Sequence, residues 1–387
     1  MSLNIAENIV KKLKSILPNK DFIALHEPIF LGNEEKYVSD CIKTGWVSSV
    51  GSYVDRFEKA ITNYVGCKYA VSTVNGTNAL HLALETLGVK QDEEVLLPSM
   101  TFIATANSIS YCKAIPHFVE VEKQSFAIDA DKLSAYLANI VNFDGKFSYN
   151  KITKRKISAL IIMHCFGMPA KDIEKIQDIA KKYNLFLIED AAESLGSFYK
   201  NIHTGNFSDI ATFSFNGNKI ITTGGGGMLV TNNKNYADKA RHLATTGKII
   251  DKYQHIHDVV AYNYRMPNIN AALGLAQLEQ INNFLKQKRT LAKKYQEIFA
   301  KDANIKFLSE AKDSKSNYWL NCLILKDDSQ LEYLLIKTNE AGIMTRMIWQ
   351  PLHQSIPYKN CPKMNLEVTE EYSKKILNIP SSANLIS

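Results

Sequence analysis

The chain has 387 residues, 45% hydrophobic and 22% charged, the composition of an ordinary globular protein long enough for two domains. Its net charge of +7 comes from lysines spread along the sequence, so attraction of an anionic small molecule is expected and a nucleic-acid partner is not. Six scattered cysteines without a C-x-x-C pair argue against a metal centre or disulfide framework, and no membrane span or secretion signal is evident, so a cytoplasmic location is expected.

Residues 1–17 place Ile5, Ile9, Leu13 and Ile16 at helical steps, with Lys11, Lys12 and Lys14 between them. This predicts an amphipathic helix that packs on the chain's own body or on a partner. Residues 1–25 read as a helical extension, 26–250 as a large domain and 251–387 as a small one. After His26, helical patterns flank the turn Gly45-Trp46-Val47-Ser48-Ser49-Val50-Gly51. Such a turn could bind a polar ligand; the ordinary reading is a helix connection whose tryptophan packs inward.

Strands are predicted at residues 69–74, 94–98, 115–121, 157–164, 185–189, 210–215 and 228–231, with helical patterns between them. One helical face is marked by Leu80, Ala83, Leu84 and Leu87 before Gly88, and another by Ile173, Ile176 and Ile179. The alternation predicts an α/β fold with a mostly parallel sheet covered on both faces, and ligands in such sheets sit beyond the carboxyl ends of the strands. Further on, helices over 269–285 and 291–299 lead to a smaller unit with strands at 318–325 and 343–347 around a helix at 331–341.

Four groups fall where a ligand would sit. Asn75-Gly76-Thr77-Asn78 joins a strand to a helix. Helix N-terminal N–H groups, a close-approach Gly76 and the Thr77 hydroxyl would seat a phosphate; alternatively Asn75 or Thr77 only caps the helix. Pro98-Ser99-Met100-Thr101-Phe102 ends a strand with a ring that is either core or a stacking surface. Ile188-Glu189-Asp190-Ala191-Ala192-Glu193 crowds carboxylates at a strand end, which either a salt bridge or a protonated pyridine nitrogen explains. Ser214-Phe215-Asn216-Gly217-Asn218-Lys219 puts a lysine on a polar turn ahead of the glycines at 224–227. Lysine condenses with aldehydes, and the glycines would let a flat ligand lie against the main chain. One reading is a Schiff-base lysine holding pyridoxal phosphate; the bland one is a solvated lysine beside a loop.

Taken together, the motifs Asn75-Gly76-Thr77-Asn78-Ala79-Leu80, Pro98-Ser99-Met100-Thr101-Phe102, Glu189-Asp190-Ala191-Ala192-Glu193 and Ser214-Phe215-Asn216-Gly217-Asn218-Lys219 occur in this order. They resemble the DegT/DnrJ/EryC1/StrS family of pyridoxal-phosphate sugar aminotransferases, over about residues 26–382. The resemblance implies a fold-type-I transferase. Lys219 would form the internal aldimine and move the proton, with Asp190 at the pyridine nitrogen. Gly76, Thr77 and Ser214 would hold the phosphate, Phe102 would stack on the ring, and Glu193 would lie near the phenolic oxygen. Asn263, in Tyr262-Asn263-Tyr264-Arg265, would reach the phosphate of a neighbouring subunit, which implies a homodimer with shared active sites. Family members that remove a hydroxyl carry histidine in place of Lys219, so amination is implied, with L-glutamate the usual donor.

His26-Glu27-Pro28, the 45–51 turn, His164-Cys165-Phe166-Gly167 and Trp349-Gln350-Pro351-Leu352-His353 look like members that aminate C4 of UDP-4-keto-6-deoxy-N-acetylhexosamines on routes to legionaminic acid and diamino sugars. Trp46, Ser48, His164, Arg265 and His353 are then candidates to meet the nucleotide sugar. Relatives usually continue into a further helix beyond the point matching Ser387. The competing readings are an aminotransferase acting on another nucleotide-linked keto sugar, at C3 or with GDP or dTDP as the nucleotide, a non-catalytic cofactor-binding regulator, and a nucleotide-binding glycine loop at 222–227, the last weakened by its order relative to the lysine.

Overall fold

The computed structural model describes residues 2–249 and 251–386. The main sheet is built from β1 (Tyr69–Thr73), β2 (Glu94–Pro98), β3 (Ile115–Val119), β4 (Lys156–Met163), β5 (Phe186–Asp190), β6 (Ile210–Ser214) and β7 (Gly227–Thr231). Their spatial order is β1-β7-β6-β5-β4-β2-β3, and a hairpin of Val141–Phe143 and Ser148–Asn150 extends β4. Neighbours from β6 to β3 are parallel, while β7 runs against both β1 and β6. Each predicted strand of this sheet is present, its ends within two residues of the expected ones.

The first helices are α1 (Ser2–Lys14), α2 (Glu34–Thr44), α3 (Ser52–Val65), α4 (Gly76–Leu87), α5 (Ile103–Tyr111) and α6 (Ala130–Ile140). They are followed by α7 (Ile173–Lys182), α8 (Lys234–Ala244), α9 (Asn268–Glu279), α10 (Ile281–Phe299) and α11 (Leu331–Glu340). Side chains alternate across a strand, so Val95, Leu97 and Ile161 meet Leu84, Ala106 and Leu243 of α4, α5 and α8. On the other face Leu96, Leu160 and Ile162 meet Leu133 and Leu137 of α6 and Ile176 of α7. Both faces are apolar because both are covered. In a further core Phe213 and Phe215 pack with Phe57 of α3 and Ala272 of α9.

The smaller sheet comprises β8 (Ile305–Phe307), β9 (Asn321–Leu325), β10 (Arg346–Met347) and β11 (Ile376–Ile379), antiparallel in the order β8-β9-β11-β10. Ile9 and Leu13 of α1 share its core with Leu334 of α11, so the amphipathic N-terminal helix packs on the chain's own body. Among the described residues no helix is long and apolar enough to cross a membrane.

Three local expectations are corrected. The break between the two helices falls at Gln280, not around residues 286–290. The polar run Lys286-Gln287-Lys288-Arg289-Thr290 looks like an interruption, but Lys288 turns inward, 1% exposed, and its amine donates to the carbonyls of Trp319 and Ser381. Trp46 does not pack inward: its side chain is exposed, while Asn268 holds the backbone of the turn through the carbonyls of Trp46 and Ser48.

The glycine run, finally, does not line the ligand cavity, and of its four members only Gly224 has a positive φ, 78°. At its last member, Gly227, it packs backbone closely on backbone. A Cβ on Gly227 would lie 2.7 Å from Gly76 N and closer still to the Asn75 carbonyl. Gly227→Ala is therefore expected to push the start of α4 outward, costing about 1–3 kcal/mol in urea-unfolding stability and weakening pyridoxal phosphate binding in a titration.

Candidate active site

The carboxyl ends of β2, β4, β5 and β6 open into a cavity of about 410 Å³, bounded by Gly76, Thr77, Phe102, Thr105, Asp190, Glu193, Ser214, Lys219, Trp319 and Trp349. At one end α4 begins. The N–H groups of Gly76 and Thr77, in the first turn, have no intrahelical acceptor and carry the positive end of the helix dipole. Asn75 does cap this helix, its Oδ1 accepting from Asn78 N at 2.8 Å, and capping leaves those two donors available. A Cβ on Gly76 would lie 2.8 Å from Ser214 Cβ, so glycine is what lets the serine hydroxyl approach the helix start.

At the other end stands Asp190, the last residue of β5, 3% exposed. Thr105 Oγ1 donates to its Oδ2 at 2.7 Å and Ala192 N–H to its Oδ1 at 3.2 Å. Burial pushes this carboxyl above the usual aspartate range, with those two donors opposing. Glu189, one residue earlier, faces the opposite way. Its carboxylate accepts from His164 Nε2 (2.9 Å), Gly205 N (2.7 Å), Phe207 N (2.9 Å) and Ser208 Oγ (2.9 Å). Burial works against its charge, but those donors win and hold it below the glutamate range.

Lys219 follows β6 on the polar turn. Its Nζ lies 3.3 Å from Glu193 Oε1 and 3.8 Å above the centroid of the Trp319 ring. Glu193 Oε2 accepts from Phe166 N at 2.8 Å. Burial, only partly offset by Lys219, pushes Glu193 up to about 7 from an ordinary 4.5. The folded chain thus holds a proton there that the unfolded chain has released, and the cofactor-free protein is expected to lose stability as pH rises from about 4.5 to about 7. Glu193→Gln should flatten that decline in urea unfolding measured across the same pH range.

These residues fit pyridoxal phosphate. A helix N-terminus with hydroxyls on Thr77 and Ser214 suits the phosphate, an acidic group at the far end suits a pyridinium, and the half-exposed Phe102 ring offers a flat face between them. The lysine amine completes a donor set that matches the cofactor's functional groups, and the volume suits a ligand of that size.

The proposed substrate residues divide. His164 is not brought to the cavity: it is fully buried, donates to Glu189 and accepts from Ala170 N at 2.9 Å. His353 is likewise turned away, fixed by Ser99 Oγ at 2.7 Å and Glu370 Oε1 at 2.9 Å. Both are satisfied structural histidines, each oriented by a nearby carboxylate. Arg265 and Asn263 line a second cavity with Ser49, Val50, Gly51, Asp55, Thr245 and Thr246. Asn263 is exposed. Trp46 and Ser48 belong to the turn at the edge of this second cavity, and neither lines the first.

Sequence reasoning missed Thr105, Asn317 and Trp319. Thr105 had a signal, a hydroxyl in the first turn of the helix after Phe102. Asn317 and Trp319 had none, because they reach the site from the segment leading into β9 of the smaller sheet. The sequence also predicts no metal cluster, and the structure gathers His81, Glu85 and Cys112 with ligand atoms within 4.8 Å. Burial and the Glu85 carboxylate hold Cys112 in its thiol form, which disfavours metal ligation.

The model of the DegT/DnrJ/EryC1/StrS aminotransferase family matches residues 30–387. The GDP-perosamine synthase of Escherichia coli O157:H7 is 36% identical over 366 residues, 94% of each chain. The UDP-4-amino-4,6-dideoxy-N-acetyl-beta-L-altrosamine transaminase of Campylobacter jejuni is 32% identical over 89% of this chain and 87% of that one. Among solved structures, a DegT DnrJ EryC1 StrS aminotransferase from Brucella abortus superposes with a TM-score of 0.82 at 27% identity, covering 91% of both chains. With a lysine, a buried carboxyl group and a helix N-terminus around one cavity of a fold-type-I architecture, the chain belongs to the pyridoxal-phosphate-dependent DegT/DnrJ/EryC1/StrS aminotransferase family.

Proposed function

We propose that this chain transfers an amino group from L-glutamate to C4 of a nucleotide-linked 4-keto-6-deoxy sugar, UDP-4-keto-6-deoxy-N-acetylglucosamine, in the making of bacterial surface glycans such as those carrying legionaminic acid or diamino sugars. The observation that carries amino transfer is Lys219, its Nζ beside Glu193 in a cavity that ends at Asp190. Bound pyridoxal phosphate supplies an electron sink for the carbanion left when the donor's α-proton departs. Lys219 Nζ takes that proton and later returns one, as base and then acid. The Asp190 carboxylate would hold a proton on the ring nitrogen, the Gly76 and Thr77 N–H groups with the Ser214 hydroxyl would anchor the phosphate, and Phe102 would fix the ring plane. Ping-pong kinetics are expected.

Relatives at 36% and 37% identity named GDP-perosamine synthase support a second reading, a GDP-linked keto sugar. The test is direct: supply the protein with pyridoxal phosphate and L-glutamate, then UDP-4-keto-6-deoxy-N-acetylglucosamine or GDP-4-keto-6-deoxymannose, and weigh the products. A 4-amino product from the UDP sugar alone supports the first reading, and one from the GDP sugar alone replaces it.

The site also calls for a second copy. Asn263 lies outside its own chain's cofactor cavity, and exposed Trp46, Val50 and Val260 stand in the segments around it. A homodimer in which Asn263 of one protomer completes the phosphate seat of its partner accounts for both. Mixing Lys219→Ala and Asn263→Ala subunits should then restore part of the activity each lacks; no recovery in a confirmed mixed dimer would exclude sharing.

A further inference from the structure

The Lys219 amine has two states to occupy, bonded to the cofactor or released to move a proton, and the released state needs a defined place. The structure shows an unusual one. Nζ sits 3.8 Å above the centroid of the Trp319 ring, within reach of a strong cation–π contact, and 3.3 Å from Glu193 Oε1 on its other side. Trp319 is only 4% exposed and is held at several points. Its Nε1–H donates to the carbonyl of Asn218 (2.6 Å), the residue before the lysine. Its backbone N–H donates to Asn317 Oδ1 (2.7 Å), and Lys288 Nζ donates to its carbonyl (3.2 Å).

Asn317 ties the same turn to the other wall. Its Nδ2 donates to the carbonyls of Glu193 (2.8 Å) and Leu195 (2.9 Å). One short segment leading into the smaller domain therefore sets the position of the indole, of the main chain bearing Glu193, and of the main chain bearing Lys219. A simple packing tryptophan would require neither the ring face under the ammonium nor the hydrogen bond to the residue before it.

We propose that Trp319 is a positioning residue for Lys219: its ring face, with the Glu193 carboxylate, is the resting place of the lysine amine whenever that amine is not bonded to the cofactor. This rests on Lys219 being the catalytic amine. Trp319 keeps the released amine in the cavity instead of letting a flexible four-carbon stem wander, which is the entropic problem a mobile acid–base group faces. The ring is not itself an acid or base and takes no proton.

Two measurements test it. The first needs no cofactor and no turnover: a double-mutant cycle in urea unfolding of the cofactor-free protein, using Lys219→Met, Trp319→Leu and the pair. A resting contact predicts coupling equivalent to about 30-fold in the unfolding constant, and additive effects would overturn the proposal. If Trp319→Leu fails to fold, the cycle is run with Trp319→Ala and, failing that, with Trp319→His at a pH where the imidazole is neutral. The second is the rate of the glutamate half-reaction in the holoenzyme. Trp319→Leu should slow it about 30-fold at saturating glutamate with little change in apparent glutamate affinity, while Trp319→Phe, which keeps a ring face and loses the hydrogen bond to Asn218, should restore most of the rate. Equal losses in the leucine and phenylalanine variants would overturn the proposal by assigning the effect to the tether or to packing. Activity remaining in Lys219→Ala would instead overturn the reading of Lys219 on which it rests.

Discussion

Lys219→Ala is expected to reduce amino transfer by at least about 10⁴-fold, because nothing else in the cavity offers an amine to take the donor's α-proton. The cavity is bounded otherwise by hydroxyls, amides, carboxyl groups, aromatic rings and aliphatic side chains with the Met163 thioether, and the nearby buried Lys288 has its amine engaged by the carbonyls of Trp319 and Ser381. Pyridoxal phosphate should still enter, since the phosphate seat, Asp190 and Phe102 are untouched, but it should exchange freely in dialysis. The measurements are product formation by mass spectrometry and the visible absorbance retained after dialysis. The substitution also removes the ammonium facing Glu193. That carboxyl, already raised by burial, loses the group that opposed the rise, so the variant should hold its proton to higher pH than the parent.

Most of what positions the site was legible before the fold, for reasons that differ from element to element. The strands from 94 to 98 and from 210 to 214 announce themselves because both sheet faces are covered, so their buried positions are mostly apolar. The helix start at the cavity was legible because a strand, a glycine and a helix pattern follow one another in sequence, and the lysine because it stands on a short turn after a strand. Contacts that join distant segments left no such trace. Trp319 meets the lysine turn and Asn317 the segment bearing Glu193, each across about a hundred residues or more, and β8 and β11 are too short to show a period. Histidines misled for the opposite reason. His164 and His353 look like ligands in isolation, but each had a buried partner, Glu189 and Ser99, that no local pattern could reveal. The glycine run misled too, since none of it lines the cavity and the missing side chain of Gly227 serves the contact with Asn75 and Gly76.

Asp190→Asn separates charge from structure at the far end of the cavity. A strand-end carboxylate is usually satisfied by structural partners, and Glu189 is, with the His164 ring N–H and three further donors around it. Asp190 is different. Among the described residues no basic group lies within 4.0 Å of it, its partners are a hydroxyl and a backbone N–H, and burial pushes it up, so its charge costs folding stability in the cofactor-free protein. Asparagine has nearly the same size, its carbonyl can accept from Ala192 N–H, and the Thr105 hydroxyl, already 3.0 Å from Thr101 Oγ1, can rotate to accept from the amide. The cofactor-free variant should therefore be at least as stable as the parent, and the difference should widen as pH rises above the ordinary aspartate value of 3.8, where the unfolded parent sheds a proton that the folded parent retains. Activity should move the other way, falling about 10²–10³-fold, because a neutral amide does not hold the ring nitrogen's proton when the carbanion forms. Urea unfolding across pH, set beside single-turnover rates with glutamate, reads both signs in one preparation. Loss of stability together with activity would mark Asp190 as a structural anion like its neighbour, whereas a stable, inactive protein would show that its burial serves the cofactor at the expense of the fold.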